Sequence, residues 1–390
     1  MRIRVAIDVS GLAWRYRTGV QNLYWAFVQA WQENPDLHDR FELRFYDRSG
    51  LHNAALQERA GAAYSSAAPR GWPAGLRRPL QALIRCGLVP GPDLRGTINH
   101  VWNWGLYAPA GVAGSITVPD LLPIEFPQWY NARFRRLTQN SLRYARERAQ
   151  YVFAISEYVK QRLVDDAGIA AERVRVVYPG IDPRYFAAPE PAATQALLQR
   201  HGLQPGRYLL SSGFLDPRKN LARQLQAFAL ATRQGDTDVK YALTGLENAQ
   251  SGPVLELMRD PALRQRVVFL GYVPQDQLPG LMAGSAALMY CSIAEGFGLP
   301  IIEAMASGAL VLTAHTSSMQ ELAQGRALTV DPFQVEDIAA KIALVLGAER
   351  SQWLARVPDN RAFAARFTVR NWLTGHLAAY AGQTPAGAGA

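Results

Sequence analysis

Cysteine is scarce in this chain. Two occur in 390 residues, Cys86 and Cys291, and neither stands in a pair with metal-ligand spacing. A disulfide-stapled fold is excluded, and the usage fits a reducing cytoplasm. No run of about eighteen uncharged apolar residues occurs, so no transmembrane helix is expected. The opening MRIRVAIDVSGL has neither the long apolar core nor the cleavage site of a signal peptide and reads as a first strand. The loop after it lacks G-x-G-x-x-G, the dinucleotide-binding fingerprint. There is no short-period repeat and no nucleic-acid-binding motif, so nucleic acid is not an expected partner. Acidic residues are the minority: 41 Lys and Arg against 32 Asp and Glu leave a formal charge of +9. That balance favours anionic partners such as nucleotides, diphosphate lipids or an acidic membrane face.

What remains is a globular composition, 49% hydrophobic and 19% charged, on a chain long enough for two α/β domains. The most informative stretch is Glu295 to Gly308, EGFGLPIIEAMASG. The apolar run from Ala287 to Ser292 before it reads as a buried parallel strand. Gly296 and Gly298 permit positive φ or close approach of a ligand to the backbone. Pro300 suits a first helical position, and Gly308 a left-handed cap. Strand, open loop and short helix follow one another, and the helix N-terminus suits a phosphate. Glu295 in the loop and Glu303 one turn into the helix are acceptors only, so hydroxyl groups are their partners. Phosphate together with hydroxyls describes a sugar nucleotide.

The rest alternates strand and helix. Strands are expected at 2–10, 41–46, 98–102, 115–118, 151–155 and 174–178 in the first half, and at 208–212, 239–244, 267–270, 287–292, 310–313 and 327–330 in the second. Helices are expected from about Val20, from Glu157 and from Leu221, over 334–346 and over 371–380. Two facing, doubly wound sheets follow from this alternation. Domains are placed at 1–185 and 186–365, with a helix at 366–381 crossing back to the first and a disordered tail at 382–390. The Pro/Ala-rich 187–193 reads as linker. In GFLDPRKN, Arg218 and Lys219 sit beyond a strand end and beside a helix start, where they either grip phosphate or form an exposed basic turn. His100 at the end of the strand 98–102 and Asp120 after the strand 115–118 are placed to meet an acceptor; a buried, satisfied histidine is the competing reading. Leu76, Leu80, Leu83, Ile84 and Leu88, with Arg77, Arg78 and Arg85, form a basic amphipathic pattern that suits either a membrane surface or core packing. A second basic run spans Arg133 to Arg148. Asp236–Thr237–Asp238 spells D-x-D but precedes a strand and reads as a polar turn; no other cluster has metal-ligand spacing.

The spacing of Glu295, Gly296, Gly298, Pro300, Glu303 and Gly308 resembles the E-x7-E signature of retaining glycosyltransferases of family four, which have the GT-B fold. RTGVQNL at 17–23, the Ser156–Glu157 unit, PGID at 179–182 and the RKN loop resemble further family patterns. The resemblance implies an α/β GT-B architecture, two Rossmann-like domains facing across a cleft. It implies that Glu295 contacts the transferred sugar, Glu303 the nucleotide ribose, and Phe297, Gly298 and Leu299 the sugar and diphosphate by their backbone. Arg218 and Lys219 would hold the donor diphosphate, Gly19 would pack against it, and Val273 would lie near the base. Gly19 is explained equally by a plain helix start. The expected reaction is metal-independent transfer of mannose or a 6-deoxyhexose such as rhamnose, from a donor that is most simply GDP-linked, to a lipid-linked oligosaccharide of O-antigen or capsule. Asp120 would orient the acceptor, with His100 beside it, and the enzyme would work in the cytoplasm, with contact to an anionic membrane permitted. A non-catalytic sugar-nucleotide-binding protein, or an epimerase on the same fold, is the alternative. One departure stands out: many relatives have a His–Asp pair where this chain has Pro119–Asp120.

Overall fold

The structure, a computed structural model, describes residues 2–9, 12, 19–47, 61–66, 96–102, 112–213, 216–233, 238–245 and 252–382. The amphipathic pattern at 76–88, Cys86, Asp236, Thr237 and the tail from 383 lie outside them. Two compact units divide the chain, Met1–Gly180 with Phe367–Ala390, and Ile181–Arg366.

In the first unit a seven-stranded sheet runs in the order β3-β2-β1-β4-β5-β6-β7. Its strands are β1 (Ile3–Asp8), β2 (Phe41–Asp47), β3 (Tyr64–Ser66), β4 (Ile98–Trp102), β5 (Gly114–Val118), β6 (Tyr151–Ala154) and β7 (Val174–Val176). Every pairing is parallel. Parallel sheets are covered on both faces, which is why β5 is buried along its whole length. Helix α1 (Gly19–Glu33) follows β1. Helix α2 (Ala132–Glu147) is the basic run, opened by Asn131, whose side chain accepts from Phe134 N. Helix α3 (Glu157–Asp165) follows β6 and is capped by Ser156.

The first α-helix of the second unit is α4 (Pro191–Arg200), which takes in the last three residues of the expected linker 187–193. Proline and alanine there are helix-compatible: Pro191 occupies the first helical position, and the Glu190 carboxylate accepts from Ala192 N and Ala193 N at 3.1 and 2.5 Å. Six strands follow: β8 (Tyr208–Ser211), β9 (Lys240–Thr244), β10 (Val267–Gly271), β11 (Ala287–Tyr290), β12 (Val311–Ala314) and β13 (Leu328–Val330). Their order is β10-β9-β8-β11-β12-β13, again parallel. Helices α5 (Leu221–Ala231), α6 (Leu299–Ala306) and α7 (Ser317–Ala323) lie between successive strands, and α8 (Val335–Leu346) follows β13. Leu225 and Phe228 of α5 and Ile338 and Ile342 of α8 share one core with Leu209, Tyr241 and Leu312 of the sheet.

The chain then returns to the first unit as α9 (Val369–Tyr380). Trp372 is fully buried, donates Nε1–H to Leu23 O at 3.4 Å, and meets Phe27 edge-on at 5.7 Å.

Candidate active site

A doubly wound sheet has its ligand crevice beyond the carboxyl ends of the two strands at which the order reverses. In the second unit those strands are the neighbours β8 and β11. Arg218 and Lys219 follow the first, and Glu295 follows the second.

The basic turn is fastened from several sides. Asp216 accepts from Arg218 N at 2.9 Å and starts the 3-10 turn Pro217–Lys219. Asn220 leaves it in a left-handed conformation (φ 58°) and donates Nδ2–H to Cys291 O at 3.2 Å and Pro332 O at 2.6 Å. Asparagine tolerates that conformation better than most side chains. Ile293 N donates to Arg218 O at 2.8 Å, tying the turn to the loop after β11. Both cations then meet one carboxylate. Lys219 Nζ lies 2.7 Å from Glu295 Oε1, and the Arg218 guanidinium donates to Oε2. Lys219 Nζ also donates to Tyr290 Oη at 2.8 Å and stands 4.2 Å from that ring's centre.

The acidic loop is clamped by hydroxyl groups at the start of α7. Thr316 Oγ1 donates to Ile293 O at 2.9 Å. Ser317 Oγ accepts from Glu295 N at 3.0 Å. Ser318 Oγ donates to Glu295 O at 2.8 Å and Phe297 O at 2.7 Å. Gly298 carries φ +113° just before α6, and a Cβ there would stand 3.1 Å from Ile301 Cδ1. Glu303 lies one turn into α6, which closes at Gly308 with φ +79°.

Electrostatics separate the two acids. Burial resists ionisation of Glu295, but Arg218 and Lys219 outweigh it and bring the carboxyl down to about 2. Glu303 rises to about 7, because burial and the Asp182 carboxylate together exceed the help of the Tyr185 hydroxyl and Lys219. Burial lowers Lys219 against the pull of Glu295, and the Arg218 charge lowers it further.

Arg218, Lys219 and Glu295 are thus bonded together, and Gly296, Phe297, Gly298, Leu299 and Glu303 continue the same loop and helix. Val273 is buried just beyond β10, next to the exposed Tyr272. In the first unit Gly19 opens α1, and Asp120 follows β5, half-buried, with Oδ1 accepting from Leu122 N at 3.2 Å. His100 corrects the sequence reading. It sits in the middle of β4, opposite Ser115, not at the strand end. It is fully buried, its Nδ1 2.9 Å from Ser115 Oγ and 2.8 Å from Tyr380 Oη, with Phe27 stacked at 5.9 Å. Burial and the neighbouring His376 lower its pKa well below the ordinary histidine value. Its polar atoms serve the packing of α9, and an acceptor cannot reach it. Tyr290, Tyr185, Asp182 and the hydroxyl clamp were missed. Thr316–Ser318 before a helix was the available signal. Among the described residues, no three His, Cys, Asp or Glu side chains gather to hold a metal ion.

Residues 195–356 match the family described as Glycosyl transferases group 1, and residues 37–185 match Glycosyltransferase Family 4. The chain is 27% identical over 289 residues to O-antigen chain mannosyltransferase B of Escherichia coli, covering 74% of this chain and 75% of that protein. It is 28% identical over 264 residues to the serotype-specific mannosyltransferase WbdA of Escherichia coli, covering 66% of this chain but 32% of that longer protein. Among solved structures, HepE of Anabaena in complex with UDP and glucose superposes with a TM-score of 0.72 at 18% identity, over 98% of this chain and 100% of that one. WaaG, a glycosyltransferase involved in lipopolysaccharide biosynthesis, gives 0.70 at 15% identity, over 97% and 100%. At such identities the likeness to the two structures is one of fold.

Proposed function

The chain belongs to the family-four glycosyltransferases and has their GT-B fold, and from that premise we propose that it transfers a hexose, with retention of configuration, from a nucleoside-diphosphate sugar to a lipid-linked oligosaccharide of a surface polysaccharide. The observation that carries this reading is the pair of cations, Arg218 and Lys219, bonded to Glu295 at the switch point of the second sheet. In this reading the cations hold the donor diphosphate and neutralise the charge that grows on it as the bond to the sugar's C1 breaks. They do so without a metal ion, so activity persists in excess chelator. Glu295 orients the sugar, and Glu303 accepts from the ribose hydroxyls. The acceptor hydroxyl oxygen bonds C1 on the face the diphosphate leaves and gives its proton to the departing diphosphate oxygen, and Asp120 orients the hydroxyl.

The names of the relatives support a mannose donor, hence a GDP-linked one. Pro119, buried after β5, offers neither a side-chain donor nor a backbone N–H to a hydroxyl on carbon six. A 6-deoxyhexose such as rhamnose needs none, and competition between GDP-rhamnose and GDP-mannose decides which is used faster. No described helix is long and apolar enough to cross a membrane; the exposed arginines of α2 support peripheral attachment at the inner face of a cytoplasmic membrane instead. The overall reading is tested with radiolabelled GDP-mannose and a membrane extract. A labelled glycolipid is the expected result. Donor binding without any product would favour a non-catalytic binding protein.

A further inference from the structure

Arg218 and Lys219 are not standing open for a diphosphate. They are already engaged by the Glu295 carboxylate, which takes one cation on each of its oxygens. A phosphate oxygen entering between the cations competes with this carboxylate for Arg218 Nη1 and Lys219 Nζ. Lys219 has three N–H donors, of which Glu295 and Tyr290 take two. An oxygen accepting the third would stand within about 5 Å of the Glu295 carboxylate, given ordinary hydrogen-bond lengths on a tetrahedral nitrogen. Two anions that close in a buried site repel strongly. Protonation does not relieve the conflict near neutral pH, because the two cations keep Glu295 ionised.

The surroundings decide which part can move. The Glu295 backbone is held on both sides, by Ser317 at its N–H and by Ser318 at its carbonyl. Lys219 keeps its contact with Tyr290, and the turn that carries both cations is fastened by Asn220 and Ile293. What remains is rotation of the Glu295 side chain about a fixed pivot. We infer that Glu295 is an internal counter-ion that competes with the diphosphate for Arg218 and Lys219, and that it selects the sugar-bearing donor over the free nucleoside diphosphate. This rests on the assignment of the two cations to the diphosphate proposed above. When a sugar nucleotide binds, the displaced carboxylate finds sugar hydroxyls as new partners. When transfer has removed the sugar, the carboxylate has no such partner and returns to the cations, which expels the product. Ser317 and Ser318 are positioning residues for this exchange.

Calorimetric titration of the whole chain with inorganic pyrophosphate tests the exchange without regard to base or sugar. Glu295→Gln keeps the shape and removes the charge, and it should bind pyrophosphate at least about tenfold more tightly than the wild type, the size expected for one charge-assisted contact. The ratio of GDP to GDP-mannose dissociation constants should fall by a similar factor. Pyrophosphate binding that is unchanged or weaker in Glu295→Gln overturns the inference, as does an unchanged ratio. If Glu295→Gln does not fold, Glu295→Asp serves: its shorter arm reaches the cations less well, and it too must bind pyrophosphate more tightly. Lys219→Ala separates the two layers of the argument. Weak binding there, with no gain in Glu295→Gln, ends the counter-ion role and leaves the diphosphate site standing. Wild-type binding in Lys219→Ala removes the site itself.

Discussion

Glu295 and Glu303 are the same side chain on one loop and helix, yet Glu295 titrates at about 2 and Glu303 at about 7. Both start from 4.5 in the unfolded chain, so they act on stability in opposite directions. Glu295 has a depressed folded pKa; its contribution is present above pH 4.5 and is lost as pH falls through 2. Glu303 has a raised folded pKa; its contribution is present below pH 4.5 and is lost as pH rises through 7. A shift of that size corresponds to at most about 3 kcal/mol. Glu303→Gln removes the ionisation while keeping the shape. The variant should therefore melt at a higher temperature than the wild type at pH 8 and show no such advantage at pH 5, in thermal melts of ligand-free protein. Equal melting differences at both pH values would remove the buried-charge account of Glu303. The same substitution replaces the charged acceptor proposed for the ribose by a weaker, neutral amide oxygen, so the donor's Michaelis constant should rise at pH 8 even as stability improves.

At the scale of the element, two glycines that look alike in sequence have different physical duties. Gly298 has φ +113°, and a Cβ there meets Ile301 and Leu322 side chains at 3.1 and 3.4 Å. Gly298→Ala should cost about 1–3 kcal/mol in urea unfolding, from backbone strain together with the tight contact. Gly19 has no atom of the described residues within 4 Å of its virtual Cβ, and it opens a helix. Gly19→Ala should stay within about 0.5 kcal/mol of the wild type in the same experiment. A loss of activity in Gly19→Ala without loss of stability would then speak for a place against the donor. Apart from β3, three residues at the edge of the first sheet that no sequence pattern marks, the strands were legible because buried parallel strands are short apolar runs, and β4 begins and ends where the sequence places it. The loop–helix of Glu295 was legible because its glycines and prolines each have a local backbone reason. The clamp by Thr316, Ser317 and Ser318 was not, because which carbonyls a serine meets depends on β12 lying beside β11, a neighbourhood no local pattern encodes. His100 was misplaced for a related reason: Ser115, Tyr380 and Phe27 come to it from three distant segments. Of residues 187–193 only 191–193 were misread, because proline and alanine are common to linkers and to helix starts.

At the scale of the whole molecule the excess of nine positive charges is unevenly placed. Helix α2 alone carries five arginines against one glutamate, and Arg133, Arg136, Arg143 and Arg146 are exposed along it, followed by Arg148. The helix is held in place by the first unit: Tyr144 and Ala145 are buried, and Arg173 donates to the carbonyls of Ala145, Arg146 and Ala149 at 3.0, 2.7 and 2.6 Å. The arginines are therefore presented from a fixed scaffold, and little order has to be gained on contact with a surface. Each basic side chain brought near an anionic leaflet contributes about 1 kcal/mol. On the proposed membrane reading, four or five acting together should give measurable attachment without any inserted segment. Such attachment must weaken with salt, because the screening length shrinks from about 10 Å at 0.1 M to about 3 Å at 1 M. Flotation with vesicles containing phosphatidylserine should bring the protein to the top at low salt and leave it at the bottom at 1 M. Vesicles of phosphatidylcholine alone should not float it. Arg136→Glu with Arg143→Glu replaces two attractions by two repulsions and should abolish flotation while leaving the melting temperature in place. If the double variant floats as the wild type does, α2 is not the attachment face, and the charge excess elsewhere on the chain would have to be tested in its stead.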